Sequence, residues 1–240
     1  MSGLLTIAIP TFNRPQAVME RILEILSLPN ELLQEIEVVI GDNGTDRANF
    51  DQFQNEFLQL RHIINSTNLG LGGNIESLIK NAKNRFVWLV SDDDQILSTN
   101  LNKLITLLSK SNSNLVLLST SHKDPKSQLE IEKNVLTSLI FISACVFRTE
   151  SVRSIIAGST GVPLNPTYQQ VFLGLQLIQF DFEPSFIQNE YVLDTNTKKH
   201  YNARPSLNVR IGHFLLLESQ LSALGAVSYT HLTLPTKRIV

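Results

Sequence analysis

VWLVSDDDQIL, residues 87–97, carries an apolar run straight into three consecutive aspartates. Val87–Val90 read as the end of a buried strand, and Asp92, Asp93 and Asp94 follow where that strand reaches the surface. Like charges packed so closely repel, and burying them would push their pKa values up. Two readings fit the run: a solvated turn that also caps the next helix, or a cradle for a divalent cation. Hard oxygen ligands suit Mg²⁺ or Mn²⁺, and Mg²⁺ commonly takes one or two carboxylates while phosphate and water fill its octahedron.

On either side the chain alternates strand and helix. Apolar runs predict strands at Leu4–Ile9, Ile36–Ile40, Arg61–Asn65, Phe86–Val90 and Leu115–Leu118. Helical spacing predicts a helix over Pro15–Leu26, with Asn13 as N-cap and Pro15 in the first turn, where its missing N–H costs nothing. Further helices are expected through Phe50, Phe53, Phe57 and Leu58, over Asn74–Ala82 and over Asn100–Leu108. Strands without polar alternation, joined by helices, imply a parallel sheet covered on both faces. Such sheets bind ligands at the carboxyl ends of their strands, near a topological switch.

Four polar loops converge on that edge: Pro10–Arg14, Asp42, Asn68–Asn74 and Asp92–Asp94. Asp42 either closes an Asx turn in DNG or accepts a hydrogen bond from a base or ribose. NLGLGGN, residues 68–74, lacks the spacing of a phosphate loop and reads as a tight turn and helix start, with Asn74 exposed at the cleft. In the second half Leu136–Phe147 suggests strands, and Thr149–Ala157 and Tyr168–Gln179 suggest helices. A polar loop, Asp194–Ser206, and a helix, Val209–Leu224, follow.

With 240 residues, 42% of them hydrophobic and 18% charged, the chain can bury one large core. A net charge of -2 gives no sign of a nucleic-acid partner, and the single cysteine, Cys145, precludes an intramolecular disulfide. The opening MSGLLTIAIPTFNRP breaks at Pro10 before a signal-type apolar region forms. The apolar stretch Val135–Phe147 falls short of the roughly 20 residues of a membrane helix. The expectation is a cytoplasmic-type protein that touches a membrane surface at most. The last stretch, VSYTHLTLPTKRIV (Val227–Val240), resembles a translated sequencing adapter. It is expected to be non-native, with the natural chain continuing past Ala226, so Tyr229 and His231 are assigned no chemistry.

Four stretches in order, LTIAIPTFNRP (5–15), EVVIGDNGTD (37–46), NLGLGGN and VWLVSDDDQIL, resemble the nucleotide-binding half of a family 2 glycosyltransferase with the GT-A fold. The resemblance is specific over residues 4–118 and looser beyond. It implies an α/β, Rossmann-like three-layer sandwich with a mostly parallel central sheet. It further implies a single domain over residues 1–226, divided into a nucleotide-binding half (1–118) and an acceptor half (119–226). The implied reaction moves a sugar from a nucleotide diphosphate-sugar to a hydroxyl on a saccharide or lipid-linked saccharide. Its context is cell-surface polysaccharide or lipid-linked oligosaccharide synthesis, at the inner face of the membrane.

Residue by residue, the resemblance implies that Pro10, Thr11, Asn13 and Arg14 line the nucleotide, with Asn74 beside them, and that Asp42 contacts the nucleobase. Asp92 would sit near the ribose, and Asp93 and Asp94 would form the DxD-like site for Mg²⁺ or Mn²⁺, with Ser91 where an earlier Asp is common. The ion would stabilise charge on the departing nucleotide.

The chain departs from the family pattern where an acidic pair usually starts a helix beneath the acceptor. NPTYQQVFLGLQL puts Tyr168 and Gln169 there, so no catalytic base is assigned. Asp181 and Glu183 lie nearby in a loop after a helix. Lys198, Lys199, His200 and Arg204 either close over a diphosphate or form a solvated loop, and His213 reads as a packing or surface residue. Three alternatives are a nucleotidyltransferase, a receiver-type phosphoacceptor and a GT-A-like module that binds nucleotide-sugar without turnover. The first would carry a Gly-rich basic loop after the first strand, and the second an acidic pair there. PTFNRP has neither, while the missing acids keep the third open.

Overall fold

Strand β1 (Leu5–Thr11) is buried along its whole length because it lies in the middle of a seven-stranded sheet. The computed structural model describes residues 3–44, 50, 53, 57, 59–119, 134–135, 137–158, 167–179, 185–188 and 192–194. Parallel partners flank β1 on both sides, β2 (Ile36–Asp42) and β4 (Phe86–Leu89), and β3 (Leu60–Ile64) adds to β2, also parallel. Beyond β4 come β7 (Cys145–Arg148), β6 (Leu115–Ser119) and β8 (Ser185–Gln188). β7 runs antiparallel to both its neighbours, and β6 and β8 are parallel, so the sheet is mixed but mostly parallel. Strand order reverses between β1 and β4, which makes their carboxyl ends the switch point of the sheet.

Alternate residues of each strand feed opposite cores, the period-2 geometry of a pleated strand. Ile7, Ile9, Val38, Ile40, Phe86 and Trp88 join one core, against α1 (Pro15–Leu26) and the helix Ser98–Lys110. Ala8, Val39, Val87, Leu89 and Phe147 join the other. There they meet α3 (Gly70–Asn81), α5 (Thr149–Gly158) and α6 (Gln169–Gln179). The short α2 (Asn30–Leu33) precedes β2, and Ser98–Lys110 is α4. The result is a three-layer α/β sandwich.

Several sequence expectations need correction. Asn13 does not cap α1: Arg14 takes the N-cap position without a side-chain cap bond, and Asn13 adopts φ 54°, a left-handed conformation that Asn tolerates. Helix α3 begins at Gly70, a turn earlier than the glycines suggested. Gly72, Gly73 and Asn74 are therefore inside the helix and buried, and Asn74 is not exposed at the cleft. Leu136–Phe147 is not a run of strands. Residues 134–135 and 137–140 are helical, Ile142–Ala144 form a 3-10 turn, and only the end enters β7. Val135 and Leu139, one helical turn apart, both enter the core, so the helix buries the same side chains. Gln95 and its neighbours form β5 (Asp94–Ile96), paired antiparallel with β9 (Val192–Asp194), so Asp194 ends a strand.

Phe50, Phe53 and Phe57 are buried, and the backbone N–H of Phe57 donates to Phe53 O at 2.8 Å, a helical bond. Leu58 and Leu136 lie outside the described residues, as do Asp181, Glu183, Lys198, Lys199, His200, Arg204 and the Val209–Leu224 helix with His213. So does Val227–Val240. No helix among the described residues is long and apolar enough to cross a membrane.

Candidate nucleotide-sugar site

The three aspartates are parted by the backbone that carries them. Asp92 turns inward, where its Oδ2 accepts from the Thr11 hydroxyl at 2.6 Å and its Oδ1 from Arg14 Nη1 at 2.7 Å. Burial pushes the Asp92 carboxyl above its ordinary value, against the opposing pull of the Arg14 guanidinium and the Thr11 hydroxyl. Asp94, the first residue of β5, is also buried and accepts from the Ser143 hydroxyl at 2.6 Å. Ser143 is a junction: its Oγ accepts from the Ser91 backbone N–H at 2.8 Å, and its carbonyl accepts from Trp88 Nε1 at 2.8 Å. Asp93 alone points outward, with its side chain 23% exposed, its Oδ1 bonded by the Ser91 hydroxyl and its Oδ2 3.3 Å from Arg14 Nη1. Arg14, shared by Asp92 and Asp93, and the hydroxyls of Thr11, Ser91 and Ser143 thus relieve the repulsion within the run.

Register places Thr11 beside Asp42 and Pro10 beside Gly41, so the loops after β1 and β2 share one lip. The Asn43 N–H donates to Thr11 O at 3.1 Å, and Gly44 presses so close to Asn13 that a Cβ there would meet Asn13 Oδ1 at 2.4 Å. Asp42 is nearly buried. Its Oδ1 accepts from the Gly44 N–H at 2.8 Å, the Asx turn, and its Oδ2 lies 3.1 Å from His62 Nε2 on β3. Phe50 meets the His62 ring edge-on at 4.8 Å. Asn74 Nδ2 donates to Gly41 O at 2.7 Å, and Asn65 Nδ2 bonds both Asn43 Oδ1 and Asn74 Oδ1, at 2.8 and 3.3 Å. Asn74 therefore braces the lip from within.

The structure thus brings Thr11, Arg14, Asp92 and Asp93 together, places Asp42 on the adjoining strand end, and leaves Pro10 buried in β1. Phe12, 52% exposed between Thr11 and Asn13, was missed by the sequence reading, as were His62 and Ser143. An aromatic side chain inside PTFNRP and a polar RH pair opening β3 were available signals, whereas Ser143, inside an apolar run, gave none.

Among the described residues no three or more His, Cys, Asp or Glu side chains form a metal cage. The donor set is one outward carboxylate, Asp93, between two inward ones, which fits a hard cation that shares its ligands with a diphosphate. At the start of α6, Gln169 and Gln170 are buried, and Gln170 Nε2 donates to Ile140 O at 3.5 Å; among the described residues no Asp or Glu opens this helix.

Residues 6–150 match the family model described as Glycosyl transferase family 2. The chain belongs to that family. Its sequence is 30% identical over 112 residues to a GalNAc(5)-diNAcBac-PP-undecaprenol beta-1,3-glucosyltransferase of Campylobacter jejuni. The match takes in 45% of this chain but only 34% of that enzyme. Among solved structures, S. aureus TarS 1–349 in complex with UDP superposes with TM-score 0.61 at 17% identity, covering 91% of this chain and 65% of TarS 1–349. The mannosyltransferase PcManGT of Pyrobaculum calidifontis, in complex with GDP-Man and Mn²⁺, gives 0.61 at 12% identity, covering 95% and 76%. Glucosyl-3-phosphoglycerate synthase of Mycobacterium tuberculosis, with Mn²⁺, UDP and glucosyl-3-phosphoglycerate, gives 0.55 at 13%, covering 93% and 80%. The family 2 chain described here has the GT-A fold.

Proposed function

We propose that this family 2 chain is a metal-dependent, inverting glycosyltransferase. It moves a sugar from a nucleotide diphosphate-sugar to a hydroxyl of a saccharide or lipid-linked saccharide, at the inner face of a membrane. One observation carries the reading. Asp93 presents a part-exposed carboxylate at the switch point of the sheet, held by Ser91 and Arg14, while Asp92 and Asp94 on either side are bonded inward. The names of the relatives support the donor and acceptor classes: TarS is seen with UDP, and the C. jejuni enzyme is named for an undecaprenol-linked saccharide.

In this reading Phe12 offers a face for a base to stack on, and the unused lone pairs of Asp42 accept a base N–H. Asp93 would hold Mg²⁺ or Mn²⁺, which would supply Lewis-acid stabilisation of charge on the departing diphosphate, while Asp94, predicted as a second ligand, is bonded inward to Ser143 behind it. Asp92, tied to Thr11, would sit near the ribose. Residues 1–226 are assigned to one domain, with the donor half over about 1–118.

Gln169 and Gln170 favour a second reading, a module that binds nucleotide-sugar without turnover, because neither amide takes a proton from an acceptor hydroxyl at neutral pH. Thermal shifts with UDP-, dTDP-, GDP- and CDP-sugars, in Mn²⁺ and in EDTA, test the donor site. The expected result is stabilisation that depends on metal, lost in Asp93→Asn with the fold intact. Equal stabilisation in EDTA would sink the metal assignment. Donor binding without release of nucleoside diphosphate, across saccharide and polyprenyl-linked acceptors, would select the second reading.

A further inference from the structure

A carboxylate waiting for a dication would be expected to face solvent without a cationic partner, and Asp93 does not. The Arg14 guanidinium bridges Asp92 at 2.7 Å and Asp93 at 3.3 Å. We infer that Arg14 is a built-in counter-cation that holds the Asp93 site against metal until a diphosphate draws it away, so that metal and nucleotide bind as a coupled pair. This rests on the donor-site reading above and adds an order of events to it.

The Asp92 and Asp93 anchors of Arg14 differ in kind. Asp92 is buried and keeps the Thr11 hydroxyl as a second donor, so it stays satisfied if the guanidinium moves. Asp93 keeps the Ser91 hydroxyl on its other oxygen. The Arg14 side chain is 35% exposed and leaves from the N-cap position of α1. The backbone beneath it is fixed by the Asn43–Thr11 bond and by the tight seat of Gly44 against Asn13.

A dication on Asp93 would lie within a few ångströms of the guanidinium, like charge against like, unless Arg14 left. Inorganic cations offer Arg14 nothing in exchange. A diphosphate does, because a guanidinium forks onto phosphate oxygens in a bidentate way that an ammonium cannot match. Each ligand therefore raises the affinity of the other, and by linkage the two factors are equal.

The test titrates Mn²⁺ by loss of its free-ion EPR signal, with and without UDP or GDP, on the wild-type chain and on Arg14→Gln and Arg14→Lys. Wild type should bind Mn²⁺ weakly alone and more tightly with nucleotide, by on the order of 5–150-fold, the usual span of a coupling. Arg14→Gln should bind Mn²⁺ alone more tightly than wild type and keep only the coupling that direct ligation of the diphosphate to the metal supplies. Arg14→Lys, which keeps the charge, should bind Mn²⁺ alone as weakly as wild type yet show a smaller coupling. It decides the matter if Arg14→Gln does not fold: full wild-type coupling in Arg14→Lys overturns the inference. Unchanged Mn²⁺ affinity in a folded Arg14→Gln chain, with metal-linked nucleotide binding retained, also overturns it and leaves the donor site standing. If neither nucleotide binds wild type in any metal, the donor-site reading fails, and this inference with it.

Discussion

Asp42 and Asp92 show how one residue type does different work at the ends of β2 and β4, the two strands that flank β1. Asp42 has two in-chain partners, the Gly44 N–H and His62, which fix its carboxylate and leave lone pairs for a base. Asp42→Ala should weaken nucleotide binding by about 1–3 kcal/mol, the span of a hydrogen bond to a charged group, and should do so without metal too. Calorimetry with UDP or GDP, in Mn²⁺ and in EDTA, checks this. Asp92 is the buried partner, and burial raises its pKa against Arg14 and Thr11. The folded chain therefore holds the Asp92 proton more tightly than the unfolded chain does. The stability this contributes is full below the unfolded value and is lost as pH rises through the folded pKa. Thr11→Val removes the hydroxyl at 2.6 Å and pushes the folded pKa higher still, so the metal-free loss of stability with rising pH should be larger in the variant. Melting temperatures from pH 3 to 8, in wild type and Thr11→Val, check the sign, and an identical slope in both would refute the assignment.

At the scale of elements, packing decided what local propensity left open. Strands β1, β2 and β4 and helix α1 were legible because strands buried on both faces are continuous apolar runs, and α1 repeats Val18, Ile22 and Ile25 at helical spacing. Helix α3 was read too short because glycine is a poor helix former. Its start is held by tertiary contact instead: Asn74 lies on Gly41, where a Cβ would come within 2.2 Å of Asn74 Oδ1 and 2.9 Å of Leu78 Cγ. Gly41→Ala must push α3 off β2 and strain the Asn43–Asn65–Asn74 amide network, so it should cost about 1–3 kcal/mol, as overpacking does. Urea melts measure that loss, and nucleotide affinity should fall with it, because the same network braces the loops after β2 and β3. The run before β7 was misread because helix and strand bury the same apolar residues there, and length alone did not separate them.

Across the whole molecule, the polar edge of the sheet was legible while its wiring was not. Loop positions follow from strand ends, but the Thr11–Asp92 and Arg14–Asp92 bonds join residues 81 and 78 apart, and only the sheet order brings them together. Arg14 was therefore read as lining the nucleotide, with no sign that it already holds two aspartates. The same sheet offers a reporter of global opening. Cys145 is wholly buried on β7, between β4 and β6, and burial pushes its thiol far above the ordinary value, so it is protonated and shielded in the fold. A disulfide reagent such as DTNB should leave the native chain unlabelled and react fully in denaturant. Labelling under native conditions needs β7 to leave the sheet, which disrupts both cores. UDP with Mn²⁺ at about 100 times the dissociation constant should slow labelling roughly 100-fold if only the globally opened chain reacts. A rate insensitive to ligand would mean that β7 opens while the donor half, β1 to β4, stays folded, making the two halves of the sheet separate cooperative units.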